Sequence, residues 1–176
     1  LNKSYKKKSI IYITGTVLSI GTTLIWLAGA SEQYFDNKDA FDYAQMGRQI
    51  KNGFGFTTLQ IFPRHIPYMD NKDYLNSGEW PNLYRYPVPT LLNAGCQFFY
   101  SNPIKAYMFQ TGIWFIFSVP LLFLLSYKIT NKYYISLLIC LVFVTDKHFI
   151  LSSYDGLTES FATLLVLIFI YIISSK

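Results

Sequence analysis

Charge is scarce in this sequence: only 14% of its 176 residues are Asp, Glu, Lys or Arg, whereas 52% are hydrophobic and 19% are aromatic. So small a charged fraction is typical of membrane proteins rather than of soluble domains. Cysteine is nearly absent as well. Cys96 and Cys140 lie in different hydrophobic stretches, which excludes a disulfide framework and a metal site of spaced cysteines. No internal repeat or low-complexity tract is evident, so we expect a single membrane domain over 1–176.

Four apolar segments predict four membrane-spanning helices, at about 10–30, 106–127, 133–150 and 158–174. The first two each supply the roughly 20 residues that a spanning helix needs. The third is shorter, with 13 uncharged residues before Asp146. The predicted fold class is therefore an all-α membrane protein with four transmembrane helices and amphipathic interfacial helices in a long first outer loop, at about 31–105.

The first apolar segment also resembles a secretory signal peptide. Lysines precede it, and Ala28-Gly-Ala30 is similar to a signal-peptidase site. Its apolar core is longer than the roughly 7–15 residues of a signal sequence, and other spans follow, which favours an uncleaved signal anchor. Because the chain begins with Leu1 and stops just after a hydrophobic run, we expect it to be a fragment of a longer multi-pass protein.

Lysine and arginine are distributed unevenly between the two sides of these spans. With the N-terminus in the cytoplasm and four crossings, the inner side holds seven lysines and no acid, and the outer side holds all ten acids with eight basic residues. This is the positive-inside pattern. The net charge of +5 therefore indicates membrane topology and not nucleic-acid binding. We predict a multi-pass protein of the bacterial cytoplasmic membrane, with its N-terminus cytoplasmic.

The outer loop opens with three carboxylates, Asp36, Asp39 and Asp42, near the start of a helix predicted over Asp39–Asn52. In the structural interpretation, Asp39 caps the first turn by accepting from free backbone N–H groups, a common role for aspartate. In the functional interpretation, a carboxylate held near the membrane removes a proton from a hydroxyl acceptor.

Two helices are predicted within the loop. In the first, Tyr43, Met46 and Ile50 recur at helical spacing and form an apolar face, and Gly53 ends the helix with a positive φ. The second covers Pro89–Tyr100, whose 12 mostly apolar residues are too few to cross a bilayer. We expect this segment to lie along the outer interface.

Further polar residues are predicted on the same outer side. Arg85 suits a phosphate because its planar fork donates two parallel hydrogen bonds, and it equally suits a headgroup anchor. Lys147 and His148 are weaker candidates for phosphate contact, and a lone histidine is more often a structural partner. Two further acids have structural interpretations as well. Asp155 would be the N-cap of the last helix, and Glu159 would be a favourable negative charge in the first turn of that helix.

The run Asp39-Ala-Phe-Asp-Tyr43, followed by Met46-Gly-Arg-Gln-Ile-Lys-Asn-Gly-Phe-Gly-Phe56, resembles the first outer loop of GT-C glycosyltransferases. These multi-pass enzymes are typified by protein O-mannosyltransferases and the aminoarabinose transferase of lipid A. Arg85-Tyr-Pro-Val-Pro89 stands where the family has an Arg/Lys-Pro-Pro-Leu-Tyr-Pro-like motif, although Tyr86 replaces a proline. The resemblance covers about residues 10–174, the amino-terminal part of the much longer family members.

The start of the fourth span continues this resemblance. The family has a Ser followed by Thr-Glu or Thr-Asp at this place, and Ser153, Thr158 and Glu159 fit that pattern. The resemblance implies transfer of a sugar from a polyprenyl-phosphate donor to an acceptor at the outer face. No cofactor follows with certainty from it, and a divalent metal ion stays open because some GT-C enzymes use one and others do not.

The resemblance also implies a role for each site residue. Asp39 would be the main catalytic carboxylate, Asp42 would support it, and Glu159 would be a second acidic group across the cavity. Arg85 would bind the lipid phosphate. The remaining substrate-binding candidates are Lys147, His148 and Asp155.

The partners implied are the lipid-linked sugar donor, membrane lipid, and remaining spans of the same protein or partner membrane subunits. The alternative function is a non-catalytic, small four-span protein that binds lipid or a partner subunit. A transporter is less favoured, because the ionisable residues lie at the ends of the spans and not at their midpoints.

Overall fold

The computed structural model describes residues 3–30, 38–59, 80–81, 85–156 and 158–174. Within this part, seven helices follow in order: α1 (Lys3–Ala30), α2 (Lys38–Lys51), α3 (Pro87–Cys96), α4 (Pro103–Thr130), α5 (Tyr133–Thr145), α6 (Lys147–Tyr154) and α7 (Glu159–Ile173). Two short strands, β1 (Thr57–Thr58) and β2 (Trp80–Pro81), pair antiparallel, with Thr57 opposite Pro81. The predicted helical fold class is confirmed at this level.

The chain divides into two compact units. The first unit comprises Leu1–Tyr34 and Thr111–Lys176, which hold α1, most of α4, and α5 to α7. The second unit comprises Phe35–Gln110, which hold α2, the two strands, α3 and the start of α4.

Helices α1 and α4 are long and apolar enough to cross a membrane. Each has 28 residues, which gives a length of about 42 Å against a hydrocarbon core of about 30 Å. Hydroxyl groups within α1 donate to carbonyls one turn earlier, as Thr14 does to Ile10 at 2.9 Å and Thr22 to Leu18 at 2.7 Å. These bonds satisfy the hydroxyl groups without water, which suits a helix in lipid.

Helices α5 and α6 form one apolar segment that is bent by 55° at Asp146. Asp146 has extended backbone angles, and its carboxylate accepts from the backbone N–H groups of His148 at 2.9 Å and Phe149 at 3.2 Å. It therefore caps a new helix and ends α5 after 13 residues. A bent pair of helices and not one straight helix therefore covers the span predicted at 133–150, and its crossing of the membrane stays a prediction.

The last apolar helix, α7, has 15 residues, about 22 Å of helix, which is shorter than a bilayer core. The described part thus contains two helices able to cross a membrane, or three if the bent pair counts as one span. Thr158 is the N-cap residue of α7, and Asp155 is the C-cap residue of α6. The interpretation of Asp155 as the N-cap of the last helix is therefore wrong, because Thr158 occupies that position.

The first unit buries polar groups and exposes apolar ones. On α1, the exposed side chains include Ile13, Val17 and Leu24, each at least 61% exposed, whereas Thr14 and Thr22 are buried. An exposed apolar surface of this kind marks contact with another apolar phase. This distribution and the lengths of α1 and α4 both indicate a membrane protein.

Candidate functional site

Helix α2 is built as the sequence pattern predicts. It runs over Lys38–Lys51 instead of Asp39–Asn52, and Tyr43 and Met46 of its apolar face are buried. Gly53 follows with a φ of 88°, the left-handed conformation that glycine adopts without strain. The predicted helix, its inner face and its terminating glycine are confirmed to within one residue.

Helix α3 packs against α2 through amide side chains. Gln97, just beyond the end of α3, donates to the Ala44 carbonyl at 2.9 Å and to Oδ1 of Asn93 at 2.5 Å. Gly47 makes this approach feasible, because a Cβ atom there would overlap the Asn93 amide. These contacts fix the two helices to each other in the second unit.

Arg85 joins the two carboxylates at the start of α2. Its Nη2 group donates to Oδ1 of Asp39 and, at 2.6 Å, to Oδ2 of Asp42, and its Nε group also donates to that Asp42 oxygen at 3.2 Å. The side chain of Asp42 is 2% exposed and that of Arg85 11%, whereas that of Asp39 is 56% exposed. We call these three residues the Arg85 cluster.

The carboxylates of the Arg85 cluster favour the charged form of the Arg85 guanidinium. Burial alone would lower the pKa of Arg85, but the hydrogen bonds and charges of Asp39 and Asp42 outweigh it and raise that pKa. Two carboxylates share one guanidinium, so the cluster has one excess negative charge. Oδ1 of Asp42 is buried with no hydrogen-bond partner in the described residues.

The aromatic ring of Tyr43 contacts the guanidinium of the Arg85 cluster. Its ring centroid lies 5.5 Å from Cζ of Arg85, a cation–π distance, and its ring stacks on Tyr107 at 5.6 Å between centroids. Burial raises the pKa of Tyr43, although a hydrogen bond to the Tyr86 backbone and the charge of Arg85 lower it in part. Tyr43 is therefore a neutral platform at physiological pH.

The structure shows partners for two of the predicted site residues. Asp39 is the second residue of α2, inside the first turn and not at the cap position, so its predicted place as the helix cap is wrong. Its carboxylate instead pairs with Arg85, which lies 46 residues further along the chain. Arg85, predicted to bind phosphate, is held by two carboxylates.

The other predicted site residues belong to the first unit and lie on α6, on α7 or between them: Lys147, His148, Asp155 and Glu159. Lys147, His148 and Glu159 are exposed, and Asp155 is half-buried. Glu159 lies in the first turn of α7, as predicted. The convergence of Glu159 with the Arg85 cluster on one cavity stays a prediction, and Asp36 lies outside the described residues.

The Arg85 cluster contains two carboxylates, and both accept hydrogen bonds from Arg85. Within the described ranges, no group of three or more His, Cys, Asp or Glu side chains could hold a metal ion. Any metal bound at this place would need further ligands, and the need for one stays open.

Sequence reasoning assigned Asp39 and Arg85 to one site, and the structure brings these two together. It missed that Arg85 bridges Asp39 and Asp42, and it missed the amide contacts of Asn93 and Gln97. A signal for the first exists: Asp39 and Asp42 are three residues apart, which puts them on one face of a helix. No local pattern shows which distant cation meets that face, because Arg85 reaches it only through tertiary folding.

Comparison with known proteins places the chain in no family. No protein-family model, no curated protein and no solved structure matches it. The similarity to GT-C glycosyltransferases therefore rests on the short motifs quoted above.

Proposed function

We propose that the protein takes part in transferring a sugar from a polyprenyl-phosphate donor to an acceptor at the outer face of the membrane. The observation that carries this proposal is the Arg85 cluster. It holds one exposed carboxylate, Asp39, in a fixed position through a buried ion pair between Arg85 and Asp42. An oriented carboxylate open to solvent is what a general base needs.

The exposed surface of α3 supports the proposal that the Arg85 cluster lies at the membrane interface. The helix and the turn after it bury polar side chains, Thr90, Asn93 and Gln97. Pro89 and Ala94 are buried as well, whereas five large apolar residues of the same segment are exposed instead: Val88, Leu91, Leu92, Phe98 and Phe99. Because an exposed apolar face is favourable in lipid and costly in water, we infer that this segment contacts the interfacial region. A lipid-linked donor would reach the cluster at that depth.

In the proposed reaction, Asp39 accepts the proton of the acceptor hydroxyl group. The acceptor oxygen then forms a bond to the anomeric carbon of the sugar, the bond from that carbon to the phosphate oxygen breaks, and polyprenyl phosphate leaves with the electron pair. Asp42 keeps Arg85 in place, and Arg85 orients Asp39. Contact between Arg85 and the donor phosphate, as the resemblance implies, would have to compete with these two carboxylates.

The finer features of the resemblance are part of this proposal. We infer four crossings, with the bent pair α5–α6 as the third and α7 as the fourth, and a cytoplasmic N-terminus. The charge distribution supports this topology, since it places every acid on the outer side. Glu159, Lys147, His148 and Asp155 keep the roles that the resemblance gives them.

The rival function is a non-catalytic lipid- or partner-binding membrane protein. In that case the Arg85 cluster only holds α2 to the segment before α3, and the charge of Asp39 is not needed. The two functions differ in what they predict for a variant that removes this charge but keeps a polar side chain.

The test is turnover of a panel of radiolabelled polyprenyl-phosphate sugars by the protein in liposomes, measured as release of polyprenyl phosphate and transfer of label. We expect Asp39→Asn to lower turnover at least about 100-fold, the usual contribution of a general base. The matched control is Asp146→Asn, which also removes one carboxylate but keeps the cap of α6, since asparagine caps as well as aspartate.

Control turnover should equal that of the unchanged protein. Full activity in Asp39→Asn would contradict the catalytic assignment, and no turnover of any donor by the unchanged protein would contradict the proposed function itself. Equal losses in both variants would show a general effect of removing a carboxylate, which also contradicts the assignment of Asp39.

A further inference from the structure

A cavity in the first unit opens beside the C-terminal end of α4 and has a volume of about 360 Å³. Its walls come from α1, α4, the turn after α4, and α7. The polar lining consists of three tyrosines, one lysine and one asparagine: Tyr12, Tyr127, Tyr171, Lys128 and Asn131. The apolar lining comes from Ile11 and Leu124. Among the residues that the structure describes, the lining includes neither an acidic side chain nor a histidine.

The position of the lysine is fixed by its neighbours. The Lys128 ammonium lies 5.0 Å from the ring centroid of Tyr171, so a cation–π contact links α4 to α7. Asn131 ends α4 with a φ of 54°, and its backbone N–H donates to the Tyr127 carbonyl at 2.9 Å. The cation and the turn beside it therefore form one ordered wall of the cavity.

The chemistry of this wall suits a phosphate group. An ammonium, tyrosine hydroxyls and a side-chain amide are all hydrogen-bond donors, and the ammonium supplies the opposite charge. The aliphatic side chains of Ile11 and Leu124 complete the lining. A lining that is polar on one part and apolar on another suits a molecule with a polar head and hydrocarbon chains. Tyrosine and lysine at the ends of membrane helices are also the residues that meet headgroups.

The charge distribution predicted from the sequence favours an anionic ligand further. The side of the membrane predicted to be cytoplasmic holds seven lysines and no acid. Lysines next to a membrane surface attract anionic lipid.

We propose that this cavity binds the phosphate headgroup of an anionic phospholipid from the inner leaflet, with Lys128 as the charged contact and the tyrosines as hydroxyl donors. The lipid is a bound structural ligand that holds the ends of α1, α4 and α7 together. This site is separate from the Arg85 cluster and does not depend on glycosyl transfer.

The test uses native mass spectrometry of the purified full chain, released from micelles that contain phosphatidylglycerol or phosphatidylcholine at equal concentration. We expect retention of phosphatidylglycerol to exceed that of phosphatidylcholine. Lys128→Gln should lower phosphatidylglycerol retention by about fivefold, the effect of one lysine at a membrane surface. The matched control, Lys132→Gln, removes the same charge from the same turn but at a position outside the lining, and it should keep most of the retention.

A second variant tests the proposal independently if Lys128→Gln does not fold. Tyr12 is 70% exposed, so Tyr12→Phe removes one hydroxyl donor without disturbing packing, and it should lower retention of phosphatidylglycerol but not of phosphatidylcholine. Circular dichroism would confirm the helix content of each variant.

Three outcomes would overturn the proposal. They are equal retention of both lipids by the unchanged protein, equal losses in Lys128→Gln and Lys132→Gln, and displacement of the lipid by millimolar inorganic phosphate. The last would mean that the cavity recognises free phosphate and not a lipid.

Discussion

At the scale of single residues, Asp39 and Asp42 carry the same charge and share one partner but differ in their exposure to solvent. Asp42 is nearly enclosed and Asp39 is more than half exposed, yet both accept from Arg85. A buried charge that loses its partner is costly, whereas an exposed ion pair contributes little. Stability should therefore depend on Asp42, and reactivity on Asp39.

This difference can be measured by thermal unfolding in detergent. We expect Asp42→Asn to lower the free energy of unfolding by about 2–3 kcal/mol, because it weakens a buried hydrogen bond to a charged group. Asp39→Asn should lower it by less than about 1 kcal/mol, as for exposed ion pairs. Equal losses in the two variants would show that burial does not govern the cluster.

The guanidinium should stay charged over the whole experimental pH range. Its pKa is raised in the folded state, so its contribution to stability is complete below the ordinary pKa of arginine and would be lost only as pH rises beyond it. Stability losses on acidification therefore arise from other groups and not from deprotonation of Arg85.

At the scale of helices, α2 and α3 approach closely because one position on α2 lacks a side chain. Gly47 faces the Asn93 and Gln97 amides, whose hydrogen bonds reach the Ala44 carbonyl. The Gln97 amide donates two buried hydrogen bonds in this contact, and buried hydrogen bonds favour one arrangement, although Nδ2 of Asn93 has no partner among the described residues. This contact therefore sets the place of α2, and with it the place of the Arg85 cluster.

Gly47→Ala should lower the free energy of unfolding by about 1–3 kcal/mol, since the added Cβ overlaps the Asn93 amide and forces the helices apart. The matched control is Gly95→Ala on α3, where an added Cβ meets nothing within 4 Å. That variant should be neutral or stabilising by up to about 1 kcal/mol, because alanine is the better helix former. A loss in Gly95→Ala as large as that in Gly47→Ala would contradict the overlap as the cause.

At the scale of the whole molecule, apolar helices that turn apolar side chains outward indicate a lipid environment. In the proposed topology, the positive-inside pattern puts the turn between α4 and α5 in the cytoplasm and the long loop outside. Cys96 and Cys140 are free, so an accessibility experiment needs a background in which both are replaced by alanine.

In that background, we expect Asn131→Cys to react with a membrane-impermeant maleimide only after the membrane is opened. Ser77→Cys should react from the outside in intact cells, although Ser77 lies outside the described residues and its side follows from charge alone. Asn131 is exposed in a turn, so burial within the protein would not mask it. Labelling of Asn131→Cys from outside would invert the proposed topology.

The sequence by itself determined the helices. Composition and the lengths of the apolar runs predicted a helical membrane protein, and the spacing of Tyr43 and Met46 with Gly53 predicted α2 closely. These features are local, because helix formation and termination depend on residues within one or two turns. The break in the third apolar segment also has a local cause in the cap at Asp146, yet a hydropathy average over 133–150 conceals it.

Only the tertiary structure decided the partners. Nothing near Asp39 in the sequence indicates Arg85, and nothing near Ala44 indicates Gln97, because each pair is separated by more than 40 residues. Burial likewise distinguishes Asp42 from Asp39 only after α2 packs in the second unit. An ion pair depends on distance in space and on the exclusion of water, and neither quantity is encoded in the spacing of residues along the chain.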